Sequence, residues 1–142
     1  MPTIKLVETE AELRATFPVM VQLRTHLTEE GYLAQVAHQR EHDAYRVVAA
    51  HEGDAVVAVA GFRLATALAL GRYVYIDDLV TDDAVRSHGH GKALLDWIAD
   101  WARDQGCSGL HLDSGVQRHA AHRFYLRERM DIVFFHFRKQ LA

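Results

Sequence analysis

The chain has 142 residues, of which 49% are apolar and 25% charged, and its formal net charge is −3 with histidine neutral. That length and balance suit one soluble domain over residues 1–142 with a sizeable core, and no linker, repeat or low-complexity segment interrupts it. The acidic balance argues against nucleic acid, the lone Cys107 excludes an intrachain disulfide, and no apolar run approaches the ~20 residues of a membrane span.

Thr3 to Val7 alternates weakly and predicts a first strand. The charges at Lys5, Glu8, Glu10, Glu12 and Arg14 leave no signal-peptide core there, so the expectation is a cytoplasmic protein. Thr9 followed by Glu12 predicts a capped helix start, with Leu13, Phe17 and Met20 as the inward stripe. Pro18 is expected to break or kink that helix, with Val19 to Leu27 as a second piece. Tyr32 to Glu41 predicts another helix. Tyr45 to Ala50 and Ala55 to Phe62 read as two strands joined by the polar link His51-Glu52-Gly53-Asp54, which signals a hairpin. Ala65 to Leu70 is apolar without β-branched residues, and its state stays open. Gly71-Arg72 turns the chain into a strand over Tyr73 to Val80.

Then comes Arg86-Ser87-His88-Gly89-His90-Gly91, followed by a helix from Lys92 to Gln105 that closes at Gly106. The first amides of a helix have no internal partners and the helix dipole favours negative charge there, so a glycine-rich turn between strand and helix suits an anion. Gly89 and Gly91 let a ligand approach the backbone, and Arg86 and Lys92 add positive charge. The phosphate loop of nucleotide hydrolases is excluded because Ala93 follows Lys92. The dinucleotide fingerprint fails because position 94 is Leu. Leu110 to Asp113 reads as a short strand, His119 to Arg129 as a helix, and Ile132 to Phe137 as a closing strand. The order is mixed α/β, with hairpin and crossover connections.

The Arg-x-x-Gly-x-Gly turn resembles the pyrophosphate loop of the GCN5-related N-acetyltransferase (GNAT) family. The resemblance extends to Leu79-Val80 before the loop and to Ala121-His122-Arg123-Phe124-Tyr125 in the later helix, with matching order from about residue 45 to 137. It implies a GNAT-type mixed, splayed β-sheet flanked by helices. It also implies an acetyl-CoA-dependent acyltransferase that moves an acetyl group to a primary amine by direct attack. Acetyl-CoA would be a cosubstrate, with no metal. Arg86, Ser87, His88, Gly89, His90, Gly91 and Lys92 would hold the pyrophosphate. Leu79 and Val80 would pair through their backbone with the pantetheine arm. Tyr125 would protonate the departing thiolate, and Asp77 or Asp78 would serve the amine as base or anchor. Alternation turns Asp77 and Asp78 to opposite faces, unless a strand bulge changes the parity. The partners implied are acetyl-CoA and an amine acceptor, small or protein-borne, without nucleic acid or membrane, and a homodimer through the last strands. The alternative is a non-catalytic acyl-CoA-binding sensor or partner subunit.

Three features depart from the family pattern. Arg118 stands where Asn is frequent, and His90 where an apolar residue is common. Arg129-Met130 replaces Gly-Phe at the end of the last helix, which suggests a different exit.

Overall fold

The structure is a computed structural model that describes residues 2–86 and 88–142. The chain forms two compact units, Met1–His111 and Leu112–Ala142.

In the first unit, β1 (Thr3–Leu6) leads into α1 (Glu10–Leu23) and α2 (Glu29–His42). α1 begins as its sequence dictates. Glu12 N–H donates to Thr9 Oγ1 at 3.1 Å and Thr9 N–H donates to Glu12 Oε1 at 2.9 Å, a reciprocal cap. Of the break or kink expected at Pro18, the break does not occur, and α1 runs through it to Leu23. Pro18 lies on the exposed side of the helix, so the carbonyl it leaves without an amide partner can turn to water. Thr28 caps α2, accepting from Gly31 N–H at 3.1 Å.

β2 (Tyr45–Glu52), β3 (Ala55–Ala67) and β4 (Gly71–Thr81) follow as antiparallel neighbours, and β5 (Gly109–Leu112) completes the sheet order β1-β2-β3-β4-β5. The open stretch after Phe62 resolves into the end of β3 and a turn over 68–70. Strand alternation divides the core. Tyr45, Val47, Ala49, Val59 and Val80 join Leu13, Val19, Met20, Tyr32, Leu33 and Val36 of α1 and α2 in one buried cluster. Val48, Ala58, Ala60, Phe62, Val74 and Ile76 point the other way and are buried beneath α3 (His90–Asp104) with Leu94, Leu95 and Ile98. The Trp101 ring meets Phe62 edge-on at 5.1 Å, so this tryptophan packs on the sheet.

The second unit carries α4 (His119–Arg127). Its exit is a Schellman turn: Met130 N–H donates to Tyr125 O and Arg129 N–H to Leu126 O, both at 3.1 Å. Arg129 has φ +64°, the left-handed conformation that glycine adopts freely, so the turn forms here on a residue that carries a Cβ. The expected strand over Ile132 to Phe137 is not formed, and Ile132, Val133, Phe134, Phe135 and Phe137 are exposed. β-rich composition alone does not make a strand; its backbone groups need a neighbouring strand.

Candidate active site

The site is built around an irregularity between β3 and β4. Gly61 pairs with Asp78, yet Phe62 pairs with Ile76, which leaves Asp77 as an extra residue. This bulge breaks the simple alternation expected for the two aspartates. Asp78 shares the face of Gly61 and Tyr45. Asp77 reaches Arg63, which is in register with Tyr45 on that same face. Both carboxylates are thereby drawn to the α1–α2 side of the sheet.

Each carboxylate has its own donors. Arg63 grips Asp77 with two bonds, Nε to Oδ2 at 2.7 Å and Nη2 to Oδ1 at 3.0 Å, and its guanidinium lies 5.0 Å from the centre of the Tyr75 ring. Asp78 accepts from the Tyr45 phenol at 2.7 Å on Oδ2 and from Arg24 Nε at 2.8 Å on Oδ1. Arg24 Nη2 also donates to the Asp77 carbonyl at 2.8 Å. Burial, then the nearby Asp78 charge, pushes the Tyr45 hydroxyl well above the usual phenol range, so it stays a donor. Of the two aspartates, Asp78 lines a cavity of about 270 Å³ beside α1, α2 and β2.

The sequence alone does not single out Arg24, Tyr45, Gly61 or Arg63. Arg24 caps the C-terminal end of α1, and only the fold brings it 54 residues along the chain to Asp78. Gly61 sits inside an apolar strand and reads there as one more small residue. A glycine inside a strand is nonetheless a signal for a bulge or a close approach, and both are found here. A Cβ at Gly61 would overlap the Tyr45 phenol.

Past the bulge, Leu79 pairs with Ala60 and Val80 with Val59 on the β3 side. On the opposite side β5 meets only the start of β4, where Ser108 N–H donates to Arg72 O at 2.8 Å. β5 has four residues and β4 has eleven. Among the described residues of the first unit, no strand flanks the stretch from Asp77 to Thr81 on that side, and its edge can accept an added strand.

The glycine turn follows a short 3-10 segment, Asp83–Val85, which Gln22 of α1 ties down. Gln22 Nε2 donates to Asp82 Oδ1 at 3.1 Å and Asp83 N–H donates to Gln22 Oε1 at 2.9 Å. That first bond holds the Asp82 carboxyl below its ordinary range. Gly89 is the N-cap of α3 at φ +82°, and no side chain caps the helix. A Cβ at Gly89 would meet open space, so the backbone there is accessible to a ligand. Arg86 pairs with Asp83, and Lys92 Nζ with Asp96 at 2.9 Å. His88 is exposed. The His90 ring is turned inward, 3% exposed, with Nε2 3.9 Å from Glu52 Oε1. Ser87 lies outside the described residues. Among the described residues no group of three or more His, Cys, Asp or Glu is placed to hold a metal ion, and no helix is long and apolar enough to cross a membrane.

In the second unit Tyr125 lies on α4, about two turns after Arg118. Burial raises its phenol above the usual range, and the Arg118 guanidinium beside it offsets part of that rise.

Comparison with known proteins shows the family. Residues 7–130 match the family model described as "Acetyltransferase (GNAT) family". The chain is 38% identical over 122 residues, 86% of each chain, to an uncharacterised N-acetyltransferase, YhdJ, of Bacillus subtilis. It is also 38% identical over 66 residues, 46% of this chain and 43% of the other, to the aminoalkylphosphonate N-acetyltransferase of Salmonella typhimurium. Its fold resembles an aminoglycoside N-acetyltransferase solved in complex with CoA, at TM-score 0.81 and 13% identity, covering 99% of this chain and 97% of that one. The chain is an acyltransferase of the GNAT family, a mixed-sheet N-acetyltransferase.

Proposed function

We propose that the protein transfers the acetyl group of acetyl-CoA to a primary amine by direct attack, within a single catalytic domain over residues 1–142. The family match crosses the boundary between the two units, which supports the single domain. The observation that carries the reading is the pairing of an uncapped, glycine-opened helix start at Gly89 with a strand edge at Leu79 and Val80 that no strand among the described residues of the first unit flanks. The two features fit the two parts of CoA that need holding. Backbone amides from Arg86 to Gly91 suit the pyrophosphate, with Arg86 and Lys92 adding charge. The β4 edge suits the amide-bearing pantetheine arm as an added strand.

Acetyl-CoA supplies an acetyl carbonyl activated by a thiol leaving group. The residues of the chain do the rest. Asp78 receives the acceptor ammonium and is the route by which its proton leaves, since it lines the cavity. Asp77, the other candidate for that role, is gripped by Arg63 and fixes the bulge in this reading. A backbone N–H at Leu79 or Val80 stabilises the carbonyl oxygen as it gains charge. Tyr125 gives its proton to the thiolate, a role suited to a phenol that burial keeps protonated. Arg118 beside it stabilises the charge left on the phenol oxygen. The Salmonella relative, named for an amine acceptor, supports an amine here. A cytoplasmic location and a homodimer belong to the same reading. The exposed run Ile132 to Phe137 supports the dimer, and light scattering would report it as twice the 16.1 kDa chain mass.

The test is release of free thiol from acetyl-CoA over a panel of primary amines. Amine-dependent release is the expected result. Cofactor binding with no release from any amine would favour a sensor or partner subunit instead.

A further inference from the structure

The cavity beside Asp78 carries a charge pattern that says what it admits. Its polar lining consists of Arg24, His26, Gln35, Gln39 and Asp78, with the two buried tyrosines behind. One permanent cation and one carboxylate therefore face the same space, already joined at 2.8 Å. The side chains of Arg24 and Asp78 are 41% and 15% exposed, so water reaches the pair from the arginine side. Arg24 Nη1 has no hydrogen-bond partner among the described residues, while Nε and Nη2 are engaged.

A simple alkylamine must bring its ammonium to Asp78 beside the Arg24 guanidinium, placing two cations on one carboxylate. A diamine adds a third positive charge. An amine that also carries an anionic group avoids this conflict. Its ammonium takes Asp78, its anion takes Arg24, and one ion pair is exchanged for two with every charge partnered. His26 lies on the same lining and adds a second donor for the anion. Met20, Leu27 and Val36 form an apolar wall suited to a short carbon spacer between the two ends. A volume of about 270 Å³ suits a small molecule, lying near the lower bound of ligand pockets at roughly 300 Å³.

We propose that this cavity is the acceptor site and that it selects small zwitterionic amines, Asp78 taking the ammonium and Arg24 reading a carboxylate, phosphonate or sulfonate a short carbon chain away. The inference rests on the acetyl-transfer reading above and deepens it.

The experiment measures thiol release from acetyl-CoA with amines matched in length and ending in an acid, a neutral amide or alcohol, or a second amine. Acid-ended amines are expected to lead in kcat/KM by about tenfold or more, the size of a charge-assisted contact. Among them, the carboxylate, phosphonate and sulfonate members show which anion is preferred. In Arg24→Gln the ratio of acid-ended to neutral-ended kcat/KM falls toward one, and in Arg24→Lys it is largely kept. Neutral-ended amines or diamines used as well as acid-ended ones, with a ratio indifferent to Arg24→Gln, would overturn the zwitterion assignment and leave acetyl transfer standing. No release from any amine would overturn both.

Discussion

Tyr45 donates its phenol proton to Asp78 Oδ2 at 2.7 Å across the backbone of Gly61. The three residues sit on three adjacent strands, Tyr45 on β2, Gly61 on β3 and Asp78 on β4. The phenol crosses the middle strand only because that strand has no side chain at residue 61. Gly61→Ala is therefore expected to push the buried ring aside, destabilising the fold by about 1–3 kcal/mol as overpacking does and lowering turnover. Urea unfolding and steady-state kinetics check both effects. Unchanged stability and rate in Gly61→Ala would mean that the ring has room to move.

The same tyrosine sets the alkaline limit. Burial raises the phenols of Tyr45 and Tyr32 above the ordinary value of 10.0. A raised folded-state pKa gives stability that is whole below the unfolded pKa and is lost as pH climbs toward the folded one. Stability should hold up to about pH 10 and decline above it. Tyr45→Phe should be less stable at neutral pH, since Asp78 loses a donor, yet show a shallower alkaline decline. Equal slopes above pH 10 would remove Tyr45 from this role.

The two aspartates should separate in kinetics. Asp78→Asn is expected to reduce kcat/KM for amines by about one hundredfold, the lower range of acid–base contributions. Asp77→Asn should weaken the Arg63 grip and act more on stability than on rate. Kinetic measurements paired with thermal melts decide it, and the reverse ranking would move the acceptor carboxylate to Asp77.

Tyr125→Phe should lower kcat by about one hundredfold while leaving acetyl-CoA affinity nearly intact. Unchanged turnover would assign the thiolate proton to water.

Arg129→Gly tests the helix exit. Relief of about 1–2 kcal/mol of left-handed strain at φ +64°, less the extra freedom glycine brings to the unfolded state, should leave a net stabilisation of about 0.5–1 kcal/mol. Denaturant unfolding reads the gain. A loss of stability would show that the Arg129 side chain contributes contacts worth more than the strain.

These residues also show where sequence suffices. The capped start of α1, the β2–β3 hairpin and the glycine-opened start of α3 are local devices, each written within a few residues. Pro18 does not end α1, because whether a helix continues past a proline depends on whether the freed carbonyl finds another partner, which its own neighbours in sequence do not decide. The bulge at Asp77 is invisible to alternation because it is a mismatch between two strands. The run Ile132 to Phe137 has strand chemistry without a strand, since pairing belongs to the neighbour. Around the cavity, Arg24 and Tyr45 reach Asp78 from 54 and 33 residues away, and no spacing rule relates them.

The central claim, that the turn from Arg86 to Gly91 holds the CoA pyrophosphate, is tested most directly by calorimetric titration of acetyl-CoA into the native chain and into Gly89→Trp. Residue 89 is left-handed and faces open space, so the indole would fill the approach to the helix amides. One-to-one binding by the native chain and none by a folded Gly89→Trp is the predicted result. No binding by the native chain, or equal binding by both, would contradict it.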